Sequence, residues 1–142
     1  MRMKATITAS LAAFLLLALA SSGQADDQPM LSGNFLASVL ASSEPHRTSL
    51  TKVIKGRQRM PVWVKSMMTD PRYISLASEK VEVEGRPMQF FKTCEPRTCV
   101  DSEMRVLFSA DGKHAVVLVR DKKRGEQFLG DPSAGEKEAL ER

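Results

Sequence analysis

The sequence predicts an α+β domain built on an antiparallel sheet, with a cysteine-closed loop at one end of it. Three observations carry that prediction. Apolar residues recur at helical spacing between positions 35 and 54, then at a spacing of two from Tyr73 onward. Asp111-Gly112, set between apolar runs, is a strong hairpin signal. Cys94 and Cys99, the only cysteines, stand in C-x4-C spacing around Pro96, between two strand-like runs.

The chain opens with the marks of an export signal. Arg2 and Lys4 form a positive start, residues 11–20 are an unbroken apolar run, and Gly23-Gln24-Ala25 offers small residues to a signal peptidase. Cleavage is expected after Ala25, leaving residues 26–142 as a single domain. A spanning helix needs about 20 consecutive apolar residues, and Ser21-Ser22-Gly23-Gln24 ends this run too early. No cysteine follows the run to carry a lipid, so no membrane attachment is expected after cleavage. The short positive start fits a bacterial precursor delivered to the periplasm.

The mature elements follow in order. Phe35, Leu36, Val39 and Leu40 predict a first helix, with Ser32 or Asn34 as its cap and Ser42-Ser43-Glu44-Pro45 as its break. Leu50, Val53 and Ile54 predict a second, stopped by Gly56. Met60-Pro61-Val62-Trp63-Val64 is expected to run extended because of its proline. Tyr73-Ile74-Ser75-Leu76 and Val81-Glu82-Val83-Glu84 predict two strands, and Gly85-Arg86-Pro87 turns the chain into a third, Met88-Gln89-Phe90-Phe91-Lys92-Thr93. Met104-Arg105-Val106-Leu107-Phe108 and Ala115-Val116-Val117-Leu118-Val119 predict the pair joined by Asp111-Gly112. Residues 134–142 are rich in helix formers and predict a closing helix. Helices, a five-strand meander and a final helix make an α+β architecture.

Charge narrows the function classes. The full chain carries 21 basic and 17 acidic residues; losing Arg2 and Lys4 leaves 19 against 17, a balance of +2. The densest basic stretch, Arg120-Asp121-Lys122-Lys123-Arg124, has no aromatic residues interleaved for stacking on bases, so it is read as a solvated loop and no nucleic acid is expected. Trp63 is read as a core aromatic, Met67-Met68 as gap filling under the sheet, and His46 and His114 as surface residues. Glu82 and Glu84 are read as the wet face of a strand, and open sheet edges leave room for a homodimer.

The two cysteines are the most informative pair. In an oxidising compartment their spacing suffices for a disulfide, since the ends of a tight turn lie within the roughly 4.4 to 6.8 Å between Cα atoms that the bond tolerates. Joining two meander strands, the loop Cys94-Glu95-Pro96-Arg97-Thr98-Cys99 is expected to project from the sheet end with Arg97 at its tip. A metal would need about four ligands, which His46 and His114 do not supply at zinc spacing, and redox catalysis usually uses C-x-x-C. No metal or cofactor is expected. A purely structural staple remains open as the other use of the pair.

These residues resemble the inhibitor of vertebrate lysozyme (Ivy) family of periplasmic lysozyme inhibitors. That family carries a Cys-Lys-Pro-His-Asp-Cys loop between two strands, matched here by Cys94, Glu95, Pro96, Arg97, Thr98 and Cys99. Met60-Pro61-Val62-Trp63-Val64 is similar to the family's Leu-Pro-x-Trp-Val segment, and the similarity extends over residues 31–132. The resemblance implies an antiparallel five-stranded sheet flanked by helices, with a protruding disulfide-closed loop. It further implies insertion of that loop into the active-site cleft of c-type lysozyme, where the family histidine meets the catalytic carboxylates. Arg97 holds the histidine's position, Glu95 the lysine's and Thr98 the aspartate's. A guanidinium between two carboxylates favours both ionised forms, and lysozyme needs one of them protonated as its acid.

Three function classes are thereby set side by side. The first is a periplasmic inhibitor of c-type lysozyme or another peptidoglycan-cleaving muramidase. The second is a binding protein on the same scaffold, for example a regulator of endogenous lytic transglycosylases. The third, an enzyme, is disfavoured, because no nucleophile and base, nucleotide loop or paired acids occur in a recognisable setting.

Overall fold

A computed structural model of the protein describes residues 30–70 and 72–142. The expected signal segment and its cleavage point lie outside the described residues. Element order is α1 (Leu36–Ser42), α2 (Glu44–Ile54), α3 (Val62–Met67), β1 (Ile74–Ser75), β2 (Glu79–Val83), β3 (Arg86–Cys94), β4 (Ser102–Ser109), β5 (Ala115–Asp121), β6 (Gly125–Leu129) and α4 (Ala134–Leu140). The strands form one antiparallel sheet in the order β1-β3-β4-β5-β6, and β2 also pairs with β3. The fold is α+β.

Five strands coincide with the runs of period two, and β6 is an addition to them. Its sequence, Gly-Glu-Gln-Phe-Leu, has apolar residues only at its end, so alternation gave no warning of it. Of the basic stretch ahead of it, Arg120 and Asp121 end β5, and only Lys122, Lys123 and Arg124 form the exposed turn between the strands. Asp121 pairs with Gly125 across three residues, and Gly125 takes the left-handed φ of 78° that closes such a turn.

Alternation divides the sheet into two buried faces. Phe91, Met104, Val106, Phe108, Val117 and Val119 face α1, α2 and α3, with Leu50 and Val64 fully buried among them. Met88, Phe90, Leu107, Val116 and Leu118 face the other way, onto Ala139 and Leu140 of α4. Each fully buried large side chain contributes about 1.5 to 3 kcal/mol. The sheet is therefore the middle of three layers, which explains why β5 is apolar along nearly its whole length.

Four local expectations are corrected. Val62, Trp63 and Val64 are helical rather than extended: Pro61 sits at the N-cap of α3, where its extended ψ of 142° and missing N–H cost nothing. Neither Ser32 nor Asn34 caps α1; its N-cap is Phe35, while Asn34 bonds Ser78 and the backbone of Met30. The β2–β3 turn is made by Glu84 and Gly85, both at positive φ, so Arg86 and Pro87 already belong to β3. His46 is buried, at 7 % exposure, because α2 lays its ring on Phe108 and against Gly112. The stop after Ile54 is as expected, with Gly56 at φ 75° just beyond the helix.

The closing helix is held by polar contacts that its sequence hardly advertises. Ser133 and Glu136 form a reciprocal capping box, and the buried Glu136 carboxylate also lies 2.8 Å from His114 Nε2. Glu84 accepts from Ser133 Oγ and Gly135 N. At the other end, buried Arg105 donates to the carbonyls of Leu140 and Arg142, satisfying groups that a helix end leaves bare.

Candidate functional site

The loop between β3 and β4 gathers every site residue read from the sequence. Cys94 ends β3 opposite Glu103, and Glu95 N donates to Ser102 O, so both ends of the loop stay in register with the sheet. Cys94 and Cys99 are joined in a disulfide with their Cα atoms 5.0 Å apart. Within it, Thr98 N donates to Glu95 O at 3.1 Å, closing a turn with Pro96 and Arg97 at its centre. Arg97 has φ 71°. Proline first and a positive φ second is the signature of a type II turn, usually completed by glycine. An arginine there costs about 1 to 2 kcal/mol, which the disulfide and the paired strands must hold in place.

A second turn follows. Asp101 N and Ser102 N both donate to Thr98 O, at 2.9 and 2.8 Å, and Thr98 Oγ1 donates to Glu95 Oε2 at 3.1 Å. Thr98 thus orders the loop from inside. Arg97 is exposed, and among the described residues it has no carboxylate within ion-pair distance. The carboxylate across the neighbouring hollow is already taken: Asp70 receives a two-pronged bond from Arg72, which draws its pKa down to about 2.

Elements that the sequence did not connect to this loop surround it. A cleft of about 500 Å³ runs between Glu95, Thr98, Asp101 and Ser102, the start of α3, and the β5–β6 turn. Trp63 lies on its inner wall, largely buried as a core aromatic, and its indole N–H donates to Asp121 Oδ2 at 2.9 Å. Burial pushes the Asp121 carboxyl upward, but that bond and the N–H groups of Lys123 and Arg124 hold it below the usual range. A second hollow, lined by Arg59, Lys123 and Arg124, adjoins the cleft through the last two. Six cationic side chains and four carboxylates line these hollows and the one beside Arg97, so this end of the molecule is basic. Arg59 and the turn residues were invisible as a group because they lie more than sixty positions apart.

On the opposite face of the sheet, beside the root of the loop, Glu103 binds three cations. Lys92 lies at 3.1 Å, Arg105 at 2.7 Å and Arg120 at 3.0 Å, and Arg120 also pairs with Glu126 at 2.7 Å. Burial would raise the Glu103 carboxyl, yet the bond from Lys92 and the charges of Arg105 and Arg120 hold it low. This network pins β3, β4, β5 and β6 together where the loop leaves them. The other sequence candidates lie elsewhere. Met67 packs in the core beneath Thr93, whose hydroxyl points at its sulfur, and half-exposed His114 sits at the far end of the sheet.

Among the described residues, no three His, Cys, Asp or Glu side chains converge as metal ligands, and no helix is long and apolar enough to cross a membrane. No family model matches the chain, and no curated protein matches it.

Proposed function

We infer that the protein is an exported, periplasmic inhibitor of the Ivy kind, whose Cys94-Cys99 loop plugs the active-site cleft of c-type lysozyme or another muramidase. One observation supports this reading above the rest: Arg97 is exposed and, among the described residues, unpaired in the middle of a loop fixed by a disulfide, a proline and internal hydrogen bonds. Ordering costs are then largely met before binding, which favours insertion. In this reading the loop protrudes from the domain, and Arg97 bonds the paired catalytic carboxylates as a fork. Both carboxylates are kept ionised, and the enzyme loses its general acid. The bacterium bearing such a protein gains protection from host defence enzymes that attack its wall.

A second reading has its own support. The basic character of the loop end works against c-type lysozymes, themselves basic, and suits a target with a less basic cleft, such as an endogenous lytic transglycosylase. One experiment separates the two. The oxidised protein is titrated against c-type, g-type and i-type lysozymes and a bacterial lytic transglycosylase, with Arg97→Ala and Cys94→Ser variants alongside. Stoichiometric inhibition of a lysozyme, lost in Arg97→Ala, is expected; inhibition of the transglycosylase alone selects the second reading, and inhibition of none rejects both.

A further inference from the structure

The hollow formed by Arg59, Lys123 and Arg124 has a composition that the inhibitory loop does not explain. Three cations from two distant segments face one space of about 450 Å³, and among the described residues none of the three has a carboxylate partner. Arg59 is moreover held at φ 67°, a backbone conformation that arginine rarely adopts. Like charges brought together this way repel, and an anion between them removes the repulsion. Asp121, at the start of the turn, is engaged with the Trp63 indole and the turn's own N–H groups and feels the Arg124 charge without an ion pair, and Lys122 is drawn away to Asp101 at 3.3 Å.

The cleft that continues from this hollow is of another kind. Val62, at 75 % exposure, and half-buried Tyr73 give it apolar surface. Thr98, Asp101 and Asp121 give it hydroxyl and carboxylate oxygens that accept hydrogen bonds. An acidic peptide would bring further carboxylates against Glu95, Asp101 and Asp121, which already face Lys122, Lys123 and Arg124 in the cleft. A sugar ring would not: its hydroxyls donate to them, and its C–H face suits the apolar wall. Both spaces fall in the range of about 300 to 1,000 Å³ usual for small-ligand sites.

We propose that the Arg59, Lys123 and Arg124 hollow and the adjoining cleft bind a carboxylated sugar, with its acid group on the three cations and its ring against Val62 and Tyr73. Arg97 lines neither space, although Glu95 and Thr98 of its loop line the cleft, and the proposal does not depend on inhibition of any enzyme. The test is a titration of the ¹⁵N-labelled, oxidised protein with N-acetylmuramic acid, followed by amide shifts at constant ionic strength. N-acetylglucosamine, acetate, inorganic phosphate and a tetraglutamate peptide are titrated in parallel. Saturable shifts are expected around residues 59, 62, 123 and 124, with the sugar acid at least about tenfold tighter than the neutral sugar or acetate, the scale of one charge-assisted bond. The pair Arg59→Asn and Arg124→Ala, in which asparagine tolerates the left-handed backbone, should weaken it by about tenfold or more. Arg97→Ala should leave it unchanged, so failure here and failure of the inhibitory reading are distinguishable. Equal binding of acetate or phosphate would reduce the site to a bare anion hollow, tighter binding of the peptide would make it a protein-docking face, and absence of saturable shifts would remove it. Each of those three results overturns the proposal.

Discussion

At Gly112 the backbone is left-handed, with φ 71°, and any Cβ would fall on the His46 ring. The carbonyl of the same residue accepts from Ser49 Oγ at 2.7 Å, so α2 and the β4–β5 hairpin are locked through one position. Gly112→Ala should therefore destabilise the protein by about 1 to 3 kcal/mol, as overpacking does, with a matching fall in the urea midpoint. His46 itself is held neutral: burial lowers its pKa, against smaller upward pulls from Asp111 and Gln89. Its imidazole resonances should accordingly titrate below the usual 6.5 in an NMR pH series. Arg97 offers the contrasting case, since a guanidinium is a permanent cation. On the inhibitory reading, potency should not fall as pH rises from 6 to 8 through any titration of the loop itself, and a steep fall there would show that another group makes the contact. The hairpin signal at Asp111-Gly112 was readable in the sequence, but the contact of Gly112 with His46 was not. That contact joins positions 66 residues apart on an element whose local pattern marks only Leu50, Val53 and Ile54 as inward.

The disulfide loop and α4 are the two elements whose stability can be probed separately. Opening the loop by Cys94→Ser removes a six-residue ring, worth about 2 kcal/mol on the chain-entropy estimate, measurable by denaturant unfolding. Its effect on the Pro96-Arg97 turn should be larger, because the positive φ at Arg97 then loses one of its restraints. Amide exchange in residues 95–99 should rise far more than in β3. Removing α4 by ending the chain after Asp131 exposes Met88, Leu107, Val116 and Leu118 and strips buried Arg105 of its carbonyl acceptors. That truncation should lose cooperative unfolding and bind hydrophobic dyes. Elements were legible wherever periodicity or a turn residue announced them, as in β3, β4, β5 and the stop at Gly56. They were hidden where tertiary contacts decide: β6 is short and half wet, and Pro61 suits both an extended chain and a helix cap.

The whole molecule is a sheet insulated on one face by three helices and on the other partly by α4 and partly by the Glu103 network. Its acid response should come in two stages. His46 has a folded pKa below its unfolded value, so the unfolded chain takes up its proton first and stability falls as pH drops below about 6.5. Asp121 and Glu103 are also depressed, so their stabilisation is complete above about pH 4 and is lost as pH falls through their folded values. Thermal midpoints measured from pH 7 to 3 should therefore bend twice, and His46→Gln should flatten the first bend. The α+β class and the paired cysteines could be seen in the sequence, whereas the grouping of Arg59 with Lys123 and Arg124 required the chain to be folded. The placement of β3 has a mechanical outcome. β1 and β2 grip one of its edges and β4 the other, so the strand that carries the loop is fastened along both sides. A tug on Arg97 along the strand axis loads those rungs in shear, all together, rather than peeling them one by one; on the proposed inhibitory reading, a target enzyme pulling away should let go before the strand slips.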